Sequence, residues 1–138
     1  MKTAEYLVCY GDTDQMGVVY YANYLRIFEF SRVIFMRASG LPYREVEAEG
    51  VLLPIAEAQV RYLKPARFED VLLVDAALVK LGRASANFIY RVRRGDEVIA
   101  TGRTRHGCID RAGKVTRMPE LLRARLEVDP EDIFDADR

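Results

Sequence analysis

Apolar and polar positions change period twice along the chain. Tyr6, Leu7, Val8 and Cys9 form a short apolar run that Gly11 ends, which predicts a first strand over 5–10. From Tyr20 or Ala22 to Ser39 the period is helical: Tyr24, Ile27, Phe28, Ser31, Ile34, Phe35 and Ala38 share one stripe. Gly40 and Pro42 stop that helix, and a short second one is expected over 43–49. After Gly50 the period is two. Ala56, Ala58, Val60 and Tyr62 alternate with Glu57, Gln59 and Arg61 until Lys64-Pro65. The same alternation sets Leu72, Val74, Ala76 and Leu78 on one face of a strand over 71–81, and Ala86, Phe88, Tyr90 and Val92 on one over 84–93. Residues 94–97 read as a hairpin turn, 98–109 as the last long strand and 111–114 as a second turn. A terminal helix over 118–125 opens with Pro119.

One strand, one apolar helix and a four-strand antiparallel meander make an α+β fold, a curved antiparallel sheet wrapped around one long central helix. It occupies residues 1–128 as a single domain, while the tail at 129–138 is expected to fray, because residues 127–138 carry six acids and one arginine. A lone helix covers one face of a sheet and leaves its edges open, so self-association is expected, as a homodimer or homotetramer.

Charge and composition narrow the function. The 138 residues carry 21 basic and 21 acidic side chains, a formal charge of zero that offers no global attraction to nucleic acid or an anionic membrane. The apolar runs are too short to cross a bilayer and the first residues lack a leader core, so a cytoplasmic protein with no membrane insertion is expected. Cys9 and Cys108 are too few for a zinc cluster and are expected to be small buried hydrophobes. With one histidine, His106, a histidine-ligated metal site or a Ser-His-Asp triad is hard to build. His106 alternates in phase with Val98 and Ala100, which predicts a satisfied, packed imidazole.

The chemistry is expected at Gly11-Asp12-Thr13-Asp14-Gln15-Met16-Gly17, where a strand gives way to the apolar helix. Two carboxylates lie two residues apart, Gly17 permits a left-handed backbone, and the helix start turns its free N–H groups toward them. The spacing is close to half of an EF-hand loop. Calcium is nonetheless disfavoured, since Met16 and Asn23 stand where oxygen ligands, one of them a bidentate Glu, belong. Asp12 reads as a turn former. Asp14 reads either as a cap or as a catalytic carboxylate. Glu29 is a rival carboxylate on the helix, though its register places it on the polar side, where an ion pair with Arg26 or Arg32 is expected.

The stretch GDTDQMGVVYYANY resembles the signature of the hotdog-fold acyl-CoA thioesterases, in their 4-hydroxybenzoyl-CoA thioesterase and YbgC-like branch. The resemblance implies the hotdog fold, hydrolysis of an acyl- or aroyl-CoA thioester to free acid and CoA, and Asp14 as the catalytic residue. It further implies an oxyanion and substrate site around Gly17, Tyr21, Ala22, Asn23 and Tyr24, and needs no cofactor or metal. Tyr21 stands where YbgC-like members carry His, which throws the weight onto Asp14. The CoA phosphates are expected near Lys80, Arg83 and Ser85, with Arg61, Lys64, Arg103 and Arg105 as further cations. A hotdog hydratase or dehydratase and a non-catalytic acyl-thioester module are the alternatives, and an acyl-carrier-protein thioester is the alternative substrate.

Overall fold

The computed structural model of the chain describes residues 1–135. Strand β1 (Lys2–Leu7) leads through a 3-10 turn at Tyr10–Asp12 into helix α1 (Asn23–Ala38), and a short α2 (Tyr43–Ala48) follows. The chain continues as β2 (Val51–Leu52), β3 (Ile55–Tyr62), β4 (Val71–Leu81), β5 (Ser85–Arg94), β6 (Glu97–Gly107), β7 (Ile109–Asp110) and α3 (Glu120–Arg125). Five strands form one antiparallel sheet in the order β1-β4-β5-β6-β3, with β2 and β7 paired separately. The α+β architecture is the expected one.

Two details differ. The first strand forms three residues earlier than expected, because residues 8–13 are drawn into the turn, where the Asp12 N–H bonds the Cys9 carbonyl at 3.0 Å. The meander is also incomplete: β3 pairs with β6, and β1 takes the free edge of β4. Alternation fixes which face a residue points to and says nothing of the neighbouring strand. The segment from 63 to 70 carries the chain across the start of α1, where the Val19 N–H bonds the Ala66 carbonyl at 2.8 Å.

Helix α1 buries Tyr24, Ile27, Phe28, Ser31, Phe35 and Met36 on the inner sheet face, with Met36 taking the place expected of Ile34. Facing them are Leu72, Val74, Ala76 and Leu78 of β4 and Phe88, Tyr90 and Val92 of β5. Each buried side chain of this size contributes roughly 1.5–3 kcal/mol. The closest approach is made by Phe28, whose ring stacks on Tyr90 with centroids 4.4 Å apart and planes 6° from parallel. Only a glycine on β6 admits it: a Cβ at Gly102 would lie 2.2 Å from the Phe28 ring and 2.8 Å from the Gln59 carbonyl oxygen.

On the outer face, Asp75 is fully buried beneath Thr3, Arg91 and Arg93. The tail at 129–135 packs where fraying is expected; residues 136–138 lie outside the described residues. Phe134 is buried against Ala77, Val79 and Ile89, the Arg91 guanidinium sits 4.7 Å over its ring, and the Asp129 N–H bonds the Leu78 carbonyl at 2.8 Å. Ile133 and Phe134 supply the apolar contact that an acid-rich composition conceals. Strand β3 ends the sheet on the other side, and every residue of it except Val60 is exposed. Among the described residues no helix is long and apolar enough to cross a membrane.

Candidate active site

Residues 14–17 make a tight turn. The Gly17 N–H donates to the Asp14 carbonyl and the Asp14 N–H to that of Val18, both at 2.9 Å, and Gly17 holds φ at +79°, a left-handed value that a side chain would strain. The half-buried Asp14 carboxylate accepts the Met16 N–H on Oδ1 at 2.9 Å. Among the described residues nothing engages its second oxygen. One oxygen therefore anchors the group while the other stays available for chemistry.

Asp12 does the opposite. It is buried, and both its carboxylate oxygens accept the Tyr6 hydroxyl at 2.9 Å while Oδ2 also takes the Cys9 N–H at 2.8 Å. Burial, reinforced by the bond to Asp12, pushes the Tyr6 hydroxyl up to about 12. The Asp12 carbonyl in turn holds the Tyr20 N–H and the Asn23 amide, each at 2.9 Å. With all its acceptors engaged, Asp12 is the post that fixes the start of α1 relative to the turn. The sequence reading of a turn former understates this, since nothing in the sequence links Tyr6 to it.

Helix α1 starts at Asn23 with Ala22 as its cap and no side-chain capping bond. Among the described residues, the N–H groups of Tyr21 and Ala22 donate to nothing. They are oriented donors at the positive end of the helix dipole. Asn23 is committed to the Asp12 carbonyl, and Tyr24 is a core residue whose ring meets the Tyr62 edge at 5.4 Å. Sequence reasoning missed Tyr62: the last alternating residue of β3, it donates its hydroxyl to the Tyr21 carbonyl at 2.9 Å. Asp14, Tyr21, Tyr24, Tyr62 and Lys64 line an open cleft of about 300 Å³. Lys64 is the cation in that cleft, paired with Glu97 at 2.7 Å.

Lys80, Arg83 and Ser85 lie elsewhere. The Asp14 turn sits beside the Val71 end of β4, where Leu7 pairs with Val71, and Lys80 is at the opposite end of that strand. At ~3.3 Å per residue the separation approaches 30 Å, so one subunit does not bring them together. Glu29 is exposed, and among the described residues it forms no ion pair with Arg26 or Arg32. Of the cysteines Cys108 is buried as expected, but Cys9 is exposed, because the turn swings it outward. His106 is buried and satisfied, with Nδ1 3.1 Å from the Leu53 carbonyl and Nε2 2.9 Å from the Thr104 hydroxyl. Burial drops its pKa to about 4.

A free carboxylate oxygen in a cleft at a helix start with unpartnered N–H groups can attack, or deprotonate a water that attacks, a carbonyl carbon whose oxygen accepts from those N–H groups. Comparison with known proteins places the chain among thioesterases. Residues 8–126 match the thioesterase-like superfamily. A 1,4-dihydroxy-2-naphthoyl-CoA hydrolase of Nostoc punctiforme is 32% identical over 133 residues, 95% of this chain and 90% of that protein. The acyl-CoA thioester hydrolase YbgC of Escherichia coli is 29% identical over 92 residues, 67% of this chain and 69% of the other. The crystal structure of the hypothetical protein TT1821 from Thermus thermophilus, 38% identical, superposes with a TM-score of 0.86 over 91% of this chain and 97% of that one.

Proposed function

Because the chain belongs to the thioesterase-like superfamily, we propose that it hydrolyses the thioester of an acyl- or aroyl-CoA to free acid and CoA, with Asp14 as the catalytic carboxylate. The observation that carries the reading is the unengaged Asp14 oxygen in a cleft that Tyr21 also lines, at the start of a helix where the N–H groups of Tyr21 and Ala22 have no acceptor among the described residues. The carboxylate acts as nucleophile, forming a mixed anhydride that water opens, or as general base on the water itself. In both routes the thioester oxygen gains negative charge and the two N–H groups stabilise it, each worth about 3–4 kcal/mol in comparable sites. Substrates related to those in the relatives' names, aliphatic acyl-CoA and aroyl-CoA, are the classes to test. A dehydratase reading needs a histidine beside the acid, and the single histidine is buried and engaged elsewhere. Incubation with a panel of both classes should release free thiol; none from any of them would end this reading.

The enzyme works in the cytoplasm as a homodimer, with the homotetramer as its higher assembly. The support is the exposed edge strand β3, whose unpaired backbone groups can continue the sheet into a second copy. An antiparallel pairing of two β3 strands centred between Ala58 and Gln59 would set Tyr62 of one copy against Ile55 of the other. Ile55 lies opposite His106, and Ser85 opposite Gly107, so the loop at 80–85 of the second copy approaches the Asp14 cleft. In that arrangement Lys80, Arg83 and Ser85 of the second copy are the contacts proposed for the CoA phosphates. Light scattering at micromolar concentration should give a dimer or tetramer; a monomer would remove the composite site.

The double variant Lys80→Ala, Arg83→Ala should raise KM for acyl-CoA roughly tenfold, the size of one charge-assisted hydrogen bond. The change in kcat should be small, because contacts remote from the thioester bind ground and transition states alike. Added salt should narrow the difference. An unchanged KM would move the phosphate site to Arg61, Lys64 or the Arg103 and Arg105 pair of β6.

A further inference from the structure

A cavity of about 270 Å³, separate from the Asp14 cleft, lies between the C-terminal half of α1, α3 and the far end of the sheet. Its walls are mainly apolar, formed by Val33, Met36, Leu78, Phe88, Leu122 and Leu126. At ~30 Å³ per water in the liquid, the space equals about nine water molecules, which matches the heavy atoms of a medium-chain or single-ring organic acid.

Arg32 enters this cavity half-buried. Its Nη1 donates to the Tyr90 hydroxyl at 3.1 Å, and among the described residues no carboxylate pairs with it, Glu29 one turn away included. The protons beyond Arg32 can be assigned. The Leu53 carbonyl only accepts, so the hydrogen is on His106 Nδ1. The neutral imidazole then presents a lone pair at Nε2, which the Thr104 hydroxyl fills at 2.9 Å. Thr104 Oγ1 accepts the Tyr90 hydroxyl at 2.7 Å, and Tyr90 accepts Arg32. The relay runs one way from the guanidinium to a backbone carbonyl and spends its side-chain acceptors on itself. Tyr43 adds another donor: its oxygen accepts the Leu53 N–H at 2.9 Å, and its own proton has no acceptor among the described residues. The cavity therefore offers a cation and spare donors within mainly apolar walls, with the exposed Glu29 as the one carboxylate among its lining residues. A guanidinium partly withdrawn from water without a charged partner is costly, and a carboxylate answers it with two parallel bonds.

We propose that this cavity binds an apolar carboxylic acid, its carboxylate on Arg32 and its body among Val33, Met36, Leu78, Phe88 and Leu126. The acid is either the product of hydrolysis or one from another source; the chemistry of recognition is the same. The proposal does not depend on the Asp14 reading, because binding is measured without turnover.

The test is calorimetric titration of octanoate and of octanol into the wild-type protein, Arg32→Met, Arg32→Lys and Ala86→Leu. Ala86 lines the cavity without belonging to the relay, so its enlargement fills the space alone. Octanoate should bind the wild type, weaken at least tenfold in Arg32→Met, recover part of that loss in Arg32→Lys, and weaken in Ala86→Leu. Octanol should bind weakly, and equally to wild type and Arg32→Met. No octanoate binding at millimolar concentration, or equal binding to wild type and Arg32→Met, would overturn the proposal. Where octanoate binds, competitive inhibition of octanoyl-CoA hydrolysis marks the product's own pocket, and binding without competition marks a separate acid site. Absence of hydrolysis by the wild type would count against the Asp14 reading and leave the titration standing.

Discussion

Asp75→Ala should destabilise the protein by about 3–5 kcal/mol, the usual cost of removing one member of a buried ionic cluster. The carboxylate is fully buried and accepts the Thr3 hydroxyl at 2.6 Å, Arg91 Nε at 2.9 Å, and Arg93 through Nε at 2.8 Å and Nη2 at 3.0 Å. Its removal leaves arginine charge half-buried on the outer face, against a sheet whose Ala77, Val79 and Ile89 are apolar. Urea unfolding should show a lower midpoint at unchanged slope, while kcat is little affected because the Asp14 turn shares none of these contacts. The pH dependence is a second readout. Burial alone would raise the Asp75 carboxyl, but the bonds from Arg93, Thr3 and Arg91 outweigh it and hold the carboxyl below its ordinary value of 3.8. As pH falls through 3.8 the unfolded chain takes up the proton first, so this contribution is complete above that pH and is lost below it. In Asp75→Ala that part of the acid destabilisation should be missing; a variant that unfolds at the wild-type urea midpoint would show the cluster to be energetically idle.

How much of this was legible depends on the range of the interaction. The stripe that places Tyr24, Ile27, Phe28, Ser31 and Phe35 is local and periodic, so α1 could be read closely from sequence. Strand partnership is not local. Nothing in the alternation of residues 56–62 selects β6 over β4, and the open edge that follows from that pairing was invisible. The same limit separates two aspartates of equal local appearance: Asp12 is engaged from six residues upstream by Tyr6 and from eleven downstream by Asn23, whereas Asp14 keeps an oxygen free. Lys80, Arg83 and Ser85 are legible as a basic turn, but their place at the far end of β4 needs the register. The Arg32 relay joins α1 to β5, β6 and Leu53, elements remote in sequence, and a single histidine in an alternating strand hinted only at burial.

Asp14→Asn carries the largest expected effect on activity. Asparagine keeps an oxygen able to accept the Met16 N–H where Asp14 Oδ1 does so now at 2.9 Å, and the backbone bonds to Gly17 and Val18 do not involve the side chain. The turn should therefore persist, with circular dichroism and melting temperature close to wild type. What disappears is the negative charge and the unengaged oxygen. A positioned base contributes roughly 10²- to 10⁴-fold, and loss of a nucleophile costs at least as much, so kcat should fall by about two decades or more while KM changes little. Asp12→Asn should divide the other way. Its carboxylate has no free oxygen to lose and holds Tyr6 and Cys9 in place, so the cost should appear in melting temperature before it appears in kcat. Glu29→Gln completes the set, since Glu29 is the carboxylate carried by α1 itself, the helix whose start forms the site. Near-normal hydrolysis by Asp14→Asn together with inactivity of Glu29→Gln would transfer the chemistry to the helix; full activity in both would place the thioesterase site away from the start of α1 altogether.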